Sequence, residues 1–191
     1  MRPLLSQEIA RREDFGLLLN RLGLYGTAVE IGVDRADFAL SFLDKWQGVK
    51  FIGIDPWNPK YDYGVFVGRD RDADYKHSIT VLEEFRKRRS FLSPLKIQLC
   101  RCPSHEASVL VEDGLDFVYI DGDHRYEAVR DDIRIWWSKL SPNGVLAGHD
   151  YNGDWMDHVR TAVTEFAWMI GAQVYYVLGD AASWYILKGE G

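Results

Sequence analysis

The sequence predicts an α/β domain whose largely parallel β-sheet carries helices on both faces, and three observations predict it. Short apolar runs rich in β-branched and aromatic residues alternate with stretches whose apolar residues recur every three to four positions. Several of the apolar runs stop abruptly at acidic residues or histidine, as expected where a buried parallel strand ends. Two strand-like runs around a turn close the chain, which indicates a hairpin and one antiparallel strand.

The first half of the chain predicts three strand-helix units behind a leading helix. The amphipathic stretch from Leu4 to Leu22 predicts that helix, so that residues 1–26 form a helical N-terminal extension. Strands are predicted at 28–33, 50–55 and 95–100, and helices at 36–46, 78–91 and 104–111. Residues 58–76 are polar, aromatic and aperiodic, which predicts a long loop and a candidate lid.

The second half predicts two further units and the hairpin. The run 115–120 predicts the fourth strand, and a helical stripe follows it from Tyr126 to Leu140. The turn Ser141-Pro-Asn-Gly144 predicts the end of that helix, with Gly144 in the left-handed conformation. The fifth strand is predicted at 145–148, a helix from Met156 to Ile170, and the hairpin strands at 173–178 and 183–188.

Composition narrows the class of protein. At 191 residues and 47% hydrophobic content, the chain is expected to form a single domain with a buried core, spanning residues 1–191. The net charge of −6 argues against a nucleic-acid partner. The basic run at 86–89 is expected to be a solvated helix face.

The cysteines and the hydropathy pattern predict a cytoplasmic location. Cys100 and Cys102 are too close in sequence for an easy mutual disulfide, so free thiols and a reducing compartment are expected. The chain shows neither a signal-peptide pattern nor a stretch that approaches a membrane span, so no membrane partner is expected.

Acids and histidines follow the fourth and fifth predicted strands. The segments Leu115–His124 and Ser141–Asp150 place Asp121, His124, His149 and Asp150 at neighbouring strand ends, where open α/β sheets bind ligands. Such a cluster indicates a metal site or a general base. The structural alternatives are that His124 only caps the next helix and that His149 and Asp150 only hold a loop together. Asp123 is expected to be a helix N-cap.

The turn after the first strand favours a cationic ligand over a dinucleotide. A dinucleotide site needs three glycines, but only Gly32 is present, and Asp34 and Asp37 would repel a pyrophosphate. S-adenosylmethionine (SAM) carries an ammonium and a sulfonium, so these acids favour SAM over NAD. The alternative is that Asp34 only caps a helix.

The second strand ends in a candidate ribose ligand. Asp55 can accept hydrogen bonds from both ribose hydroxyls, and Trp57 just beyond it can stack on an adenine ring. The alternative for Asp55 is that it caps the turn at Pro56.

Five segments carry a resemblance to a known family. They are Val29–Val33, Phe51–Trp57, Ser104–Ala107, Asp116–His124 and Leu146–Tyr151. Together they resemble the class I SAM-dependent methyltransferases, and most closely methyltransferase family 24, which is related to the catechol- and macrocin-type metal-dependent O-methyltransferases. The resemblance covers the chain from about Thr27 to its end. The sequence departs from the usual pattern at 35–37, where the third glycine of the first motif is replaced, and at 101–103, where relatives have Gly-Asp.

The resemblance implies a fold and a cofactor site. The implied fold is a Rossmann-like three-layer sandwich with a seven-stranded sheet in the order 3-2-1-4-5-7-6 and strand seven antiparallel. By this resemblance, Glu30 and Gly32 lie under the methionine portion of SAM, Asp55 holds the ribose, Cys102 and Ser104 pass the adenine, and Asp121 lies near the sulfonium. The further candidates for cofactor binding are Asp34, Trp57 and Gly122.

Transfer of a methyl group to a hydroxyl needs an aligned, electron-rich oxygen. A divalent ion can lower the hydroxyl pKa, or a general base can take the proton. The resemblance implies Asp121 and Asp150 as metal ligands for magnesium or manganese, and His149 is the expected third ligand. His124 is expected to be the base or a further ligand, so the catalytic candidates are His124, Asp121 and His149.

Two other functional classes stay open from the sequence. One is a metal-dependent hydroxylase or oxygenase on the same fold, and the other is a non-catalytic binder of SAM or another metabolite. The expected partner is a small-molecule acceptor, which the aromatic and basic residues of the 58–76 loop suggest to be anionic or sugar-like. Trp137 lies off the helical stripe, which makes it a candidate contact in a homo-oligomer.

Overall fold

Seven strands form one sheet in the order β3-β2-β1-β4-β5-β7-β6. The structure is a computed structural model that describes residues 9–61, 67–89, 94–152, 156–177 and 183–189. The first five strands are parallel, and β7 runs antiparallel to both β5 and β6, so the predicted order and the predicted antiparallel strand are confirmed. The strands are β1 (Thr27–Ile31), β2 (Lys50–Ile54), β3 (Lys96–Cys100), β4 (Leu115–Ile120), β5 (Leu140–Gly148), β6 (Tyr175–Val177) and β7 (Ser183–Leu187).

Helices cover both faces of the sheet and give three layers. The side chains of β4 alternate, so that Phe117 and Tyr119 join one hydrophobic cluster and Val118 and Ile120 join the other. The first cluster is closed by α1 and α2, and the second by α5 and α6. The helices are α1 (Phe15–Leu22), α2 (Asp37–Lys45), α3 (Arg71–Arg89), α4 (Ser104–Leu110), α5 (Tyr126–Lys139) and α6 (Met156–Ile170).

Two predicted boundaries are wrong by several residues. α3 begins at Arg71 instead of 78, because the Asp70 carboxylate accepts hydrogen bonds from the N–H groups of Asp72 and Ala73 and so caps its first turn. β5 begins at Leu140 instead of 145, since Leu140 already pairs with Leu115. The predicted long loop is therefore shorter, and its residues 62–66 lie outside the described part of the chain.

The left-handed residue before the body of β5 is Asn143, with φ of 77°, and not Gly144 as predicted. Gly144 is needed for a different reason. A Cβ atom at this position would lie 2.9 Å from the Leu115 carbonyl oxygen, so glycine allows β4 and β5 to approach closely.

The ends of the chain follow the prediction only in part. Residues 1–8 lie outside the described residues, and the described extension consists of a 3-10 turn at Arg12–Asp14 followed by α1. The hairpin turn at 178–182 also lies outside them. Within the described residues, no helix is long and apolar enough to cross a membrane.

Trp137 packs within its own chain, with its ring centroid 5.3 Å from that of Phe166 on α6. Its position off the helical stripe is therefore explained by contact with α6, and its role in an oligomer stays a prediction. Cys100 and Cys102 are free thiols, as expected.

Candidate functional site

The ends of β1, β4 and β5 bring the candidate site residues to one edge of the sheet. Ile31 pairs with Ile120, and Ile120 pairs with Gly148, so the residues that follow these positions lie side by side. Gly32 has φ of 90°, and a Cβ atom there would lie 2.0 Å from the Asp121 carbonyl oxygen. Glycine is thus required at this position because the end of β1 passes directly against the end of β4.

Asp121, His124 and Asp150 form a compact group at this edge. Each residue offers one ligand atom, and these atoms lie within 4.8 Å of one another. His124 Nε2 lies 2.8 Å from Asp150 Oδ2 and 3.6 Å from Asp121 Oδ1. His124 Nε2 is buried but makes no hydrogen bond of good geometry in the described structure, so the nitrogen is close to the carboxylates without being aligned with either. Two carboxylates and an imidazole in this arrangement can hold a divalent cation.

His149 lies beside this group. Its Nδ1 atom is 3.2 Å from Asp150 Oδ1 and 3.8 Å from Asp121 Oδ1, and its buried Nε2 atom has no hydrogen-bond partner among the described residues. The predicted metal set of Asp121, His149 and Asp150 is therefore brought together, but the most compact trio contains His124 in the place of His149.

The charges of the group are strongly coupled. Burial lowers the pKa of His124, but the nearby carboxylates of Asp121 and Asp150 outweigh it and raise this pKa to about 10. The pKa of His149 is also raised, because the neighbouring carboxylates outweigh its burial. Burial opposes the ionisation of Asp150, yet the two histidines hold its pKa well below the usual value. Each imidazole thus faces enough negative charge to retain its proton. A cation bound at this place would displace that proton.

The backbone around Asp150 is strained and firmly held. Asp150 has φ of 57°, which is uncommon for a residue with a side chain. The backbone of His149, the preceding residue, is held by two hydrogen bonds. Its N–H donates to the Ile120 carbonyl at 3.0 Å, and its carbonyl accepts from Trp184 Nε1 at 3.2 Å. Strained residues concentrate at functional sites, where the surrounding structure holds them in place.

Glu30 lies behind this edge, on β1. It is only 2% exposed, and its Oε2 atom has no hydrogen-bond partner among the described residues. Burial raises its pKa, the charge of Asp121 raises it further, and the charge of Arg12 lowers it. A buried carboxyl group with an unused oxygen is a suitable partner for the ammonium of a ligand.

Arg12 belongs to the site although the sequence analysis did not identify it. Its Nη1 atom donates to Asp121 Oδ2 at 3.4 Å, and its guanidinium carbon lies 5.7 Å from the centroid of the Phe38 ring. Arg12 and Asp121 are 109 residues apart, and no local pattern in the sequence connects them.

Asp55 is placed at the end of β2, as predicted, but its oxygens are already engaged. Oδ1 accepts hydrogen bonds from the Trp57 N–H at 2.6 Å and from Arg71 Nη2 at 3.3 Å, and Oδ2 accepts one from the Asp34 N–H at 3.0 Å. Since each carboxylate oxygen accepts about two hydrogen bonds, only Oδ2 retains capacity. The expectation that Asp55 accepts both ribose hydroxyls is therefore corrected to one hydroxyl through Oδ2 in this conformation.

The carboxylate of Asp34 forms ion pairs with two arginines. Arg71 Nη1 lies 2.5 Å and Arg69 Nη2 lies 2.9 Å from Asp34 Oδ1. The alternative that Asp34 caps α2 is also wrong, because α2 has no side-chain cap and begins after Ala36. The argument that Asp34 attracts a cationic ligand is therefore weakened, since two cations already face it.

Trp57 lies in the core and not on the crevice. Its ring is fully buried, its centroid is 4.9 Å from that of Tyr75, and its Nε1 atom donates to the Asp34 carbonyl at 2.8 Å. Its backbone is left-handed, with φ of 40°. The expected stacking of Trp57 on adenine is corrected accordingly, because neither ring face is open.

The remaining predicted cofactor residues lie at the starts of two turns. Gly122 follows Asp121, and a Cβ atom there would lie 3.5 Å from an Ile31 side-chain methyl group. Cys102 precedes α4, and Ser104 is its first residue. The Ser104 hydroxyl accepts a hydrogen bond from Trp136 Nε1 at 2.7 Å and donates to Asp132 Oδ1. Ser104 is thus held by α5, which fixes the turn after β3.

Asp132 makes the stability of this region depend on pH. Burial raises its pKa to about 6, although the hydrogen bond from Ser104 lowers it. Because the folded protein binds this proton more tightly than the unfolded chain, the contribution of Asp132 to stability is present below about pH 4 and is lost as the pH rises through about 6. We expect Asp132→Asn, which keeps an acceptor for Ser104, to raise the free energy of unfolding by about 1–3 kcal/mol at about pH 8 but not at about pH 4.

Urea unfolding at the two pH values measures this difference. Asp131→Asn is the matched control, because Asp131 is the exposed neighbour of Asp132 and its pKa is lowered by Arg130. An equal change in stability at both pH values for Asp132→Asn would contradict the assignment.

Comparisons with known proteins agree with this geometry. A family model described as a methyltransferase domain matches residues 29–151, which confirms the predicted resemblance. No curated protein sequence matches the chain.

Solved structures share the fold at low sequence identity. A putative caffeoyl-CoA O-methyltransferase from Staphylococcus aureus matches with a TM-score of 0.69 and 12% identity, over 95% of this chain and 85% of that one. An O-methyltransferase from Bacillus cereus in complex with SAH matches with a TM-score of 0.63 and 11% identity, over 93% and 80%. The O-methyltransferase NovP matches with a TM-score of 0.61 and 18% identity, over 93% and 77%.

Proposed function

The chain belongs to the methyltransferase domain family, and from this premise we propose that it transfers the methyl group of SAM to a hydroxyl oxygen of a small molecule or sugar with the help of a divalent cation. The observation that carries the proposal is the group of Asp121, His124 and Asp150 at the ends of β4 and β5. It lies at the sheet edge where β1 also ends, beside the buried Glu30.

The donor atoms of this group suit a divalent cation. Carboxylate oxygens suit magnesium and manganese, and the imidazole of His124 or His149 favours manganese over magnesium. Such an ion lowers the pKa of a hydroxyl bound to it. The buried Nε2 atom of His149, which has no hydrogen-bond partner among the described residues, supports a ligand in this place.

Separate residues of the chain suit the separate parts of SAM. Glu30 faces the ammonium, Oδ2 of Asp55 accepts a ribose hydroxyl, and the turn from Cys102 to Ser104 borders the adenine. Asp121 lies between the two ends of the site, next to Gly122, where the sulfonium and the acceptor oxygen meet. The carboxylates of Asp121 and Asp150 and the imidazole of His124 would hold the divalent cation beside this point, where it would favour loss of the proton from the acceptor hydroxyl.

Calorimetric titration tests the proposal. Protein stripped of metal is titrated with SAM, and the titration is repeated with manganese and with magnesium present. We expect micromolar SAM binding that survives removal of metal, and a separate heat for manganese. Failure of SAM to bind under every condition would contradict the methyltransferase assignment for this site.

A second candidate function is a metal-dependent hydroxylase, because both His124 and His149 lie beside the carboxylates and non-haem iron also takes histidine and carboxylate ligands. Loading with ferrous iron and following oxygen consumption distinguishes the two candidates. The methyltransferase proposal requires that oxygen is not consumed and that SAM is converted to its demethylated product.

A further inference from the structure

Arg12 is a cation placed among acids at the crevice edge. It reaches the site from the 3-10 turn before α1 and lies 3.4 Å from Asp121 Oδ2. Its side chain is 23% exposed and is therefore partly accessible to solvent. Burial raises the pKa of Glu30, and the positive charge of Arg12 opposes that rise, so the two side chains interact across the site.

Three arginines near the end of β2 serve a different part of the crevice. Arg69 and Arg71 pair with Asp34 and Asp74 at the end of β2, and Arg35 is half exposed and pairs with Asp74. Of the charges that act on Glu30, those of Asp121, Asp55 and Asp37 are negative and that of Arg12 is positive. An anionic group entering this end of the crevice would be repelled by the carboxylates unless Arg12 met it.

The methionine end of SAM is a zwitterion with one ammonium and one carboxylate. Glu30 and Arg12 place an acidic and a basic side chain at the same end of the crevice, and an ammonium bound beside Glu30 would favour its ionised form. A guanidinium presents two parallel N–H donors that fit a carboxylate, and its 3.4 Å contact with Asp121 is long enough to be exchanged for a better one.

We propose that Arg12 binds the α-carboxylate of SAM while Glu30 binds its ammonium. This inference rests on the proposed use of SAM and adds a specific binding residue from the N-terminal extension. It follows that the site selects SAM over decarboxylated SAM and over 5′-methylthioadenosine, which both lack that carboxylate.

The experiment compares three ligands by calorimetry on the full chain. The ligands are SAM, decarboxylated SAM, which lacks only the carboxylate, and 5′-methylthioadenosine, which lacks both charged groups of the methionine end. A charge-assisted hydrogen bond contributes about 1.5–3 kcal/mol, so Arg12→Met is expected to weaken SAM binding by about 10- to 100-fold. Binding of decarboxylated SAM is expected to change by less than about twofold.

Two further variants distinguish loss of a SAM contact from a general disturbance of the structure. Arg11→Met removes an exposed arginine from the adjacent position and is expected to leave SAM binding unchanged. Arg12→Lys keeps the charge and is expected to recover part of the affinity for SAM. Equal weakening of SAM and decarboxylated SAM by Arg12→Met would overturn the inference while leaving the SAM proposal intact. Failure of the unmodified protein to bind any of the three ligands would instead overturn the SAM proposal, and the role of Arg12 with it.

Discussion

Replacing Asp150 with Asn is expected to weaken manganese binding, and with it the rate of methyl transfer, by about 100-fold or more. Asp150 lies 2.8 Å from His124 and 3.2 Å from His149, so the substitution removes the carboxylate that both imidazoles share. Asn keeps the size and one oxygen of the side chain, and it tolerates the left-handed backbone at φ of 57° better than most residues. The loss is therefore expected to come from charge and not from the backbone.

Calorimetric titration with manganese measures the effect without knowledge of the acceptor. Asp157→Asn is the matched control, because Asp157 is 87% exposed on α6 and is expected to have no effect on manganese binding. Manganese binding of undiminished strength in Asp150→Asn, with the fold intact by circular dichroism, would show that the cation does not bind at the ends of β4 and β5.

Replacing Arg71 with Met is expected to lower the free energy of unfolding by about 3–5 kcal/mol. Arg71 is 3% exposed, and its guanidinium lies 3.0 Å from Asp74 Oδ2 and 3.3 Å from Asp55 Oδ1. Methionine fills much of the volume but leaves these two buried carboxylates without that cation. The cost is large because a buried charge that loses its partner cannot be rehydrated without moving the chain.

The Arg160→Met variant is the control for this prediction. Arg160 pairs with Asp157 three residues earlier on a helix, but it is 51% exposed, so its loss is expected to cost less than about 1 kcal/mol. Urea unfolding of both variants makes the comparison. In the double variant Arg71→Met/Asp74→Asn, part of the lost stability is expected to return, since one of the buried carboxylates that paired with Arg71 is removed. A loss below about 1 kcal/mol in Arg71→Met would contradict the interpretation of this ion-pair cluster.

The strands could be predicted from the sequence because the sheet is buried on both faces. Strands such as Lys50–Ile54 and Leu115–Ile120 are nearly continuous apolar runs that end at a carboxylate, and the polar ends mark one edge of the sheet. The start of α3 could not be predicted in this way, because the helix is polar on almost every side. Its first turn is capped by the Asp70 carboxylate, and this hydrogen bonding leaves no sign in the hydrophobic pattern of the sequence.

The site residues that directly follow strands could be predicted from the sequence. The site residues that are brought in from distant parts of the chain could not. Asp121, His149 and Asp150 follow strand ends, so topology alone brings them together. Trp57 was misjudged because its ring packs against Tyr75 of α3, a contact that depends on tertiary packing. The arginine partners of Asp34 and Asp55 come from α3 and the segment before it, and Arg12 comes from the N-terminal extension, so their contacts depend on tertiary packing.

The central claim is that SAM and a divalent cation share the crevice at the ends of β1, β4 and β5. The most direct test is the nuclear magnetic resonance signal of SAM carrying a carbon-13 methyl group, bound to the protein with magnesium or with manganese. Paramagnetic manganese at Asp121, His124 and Asp150 should broaden the methyl signal strongly, whereas magnesium should not, and Asp150→Asn should abolish the broadening. A methyl signal that stays sharp while manganese is bound would contradict the account, because the cation would then lie far from the group to be transferred.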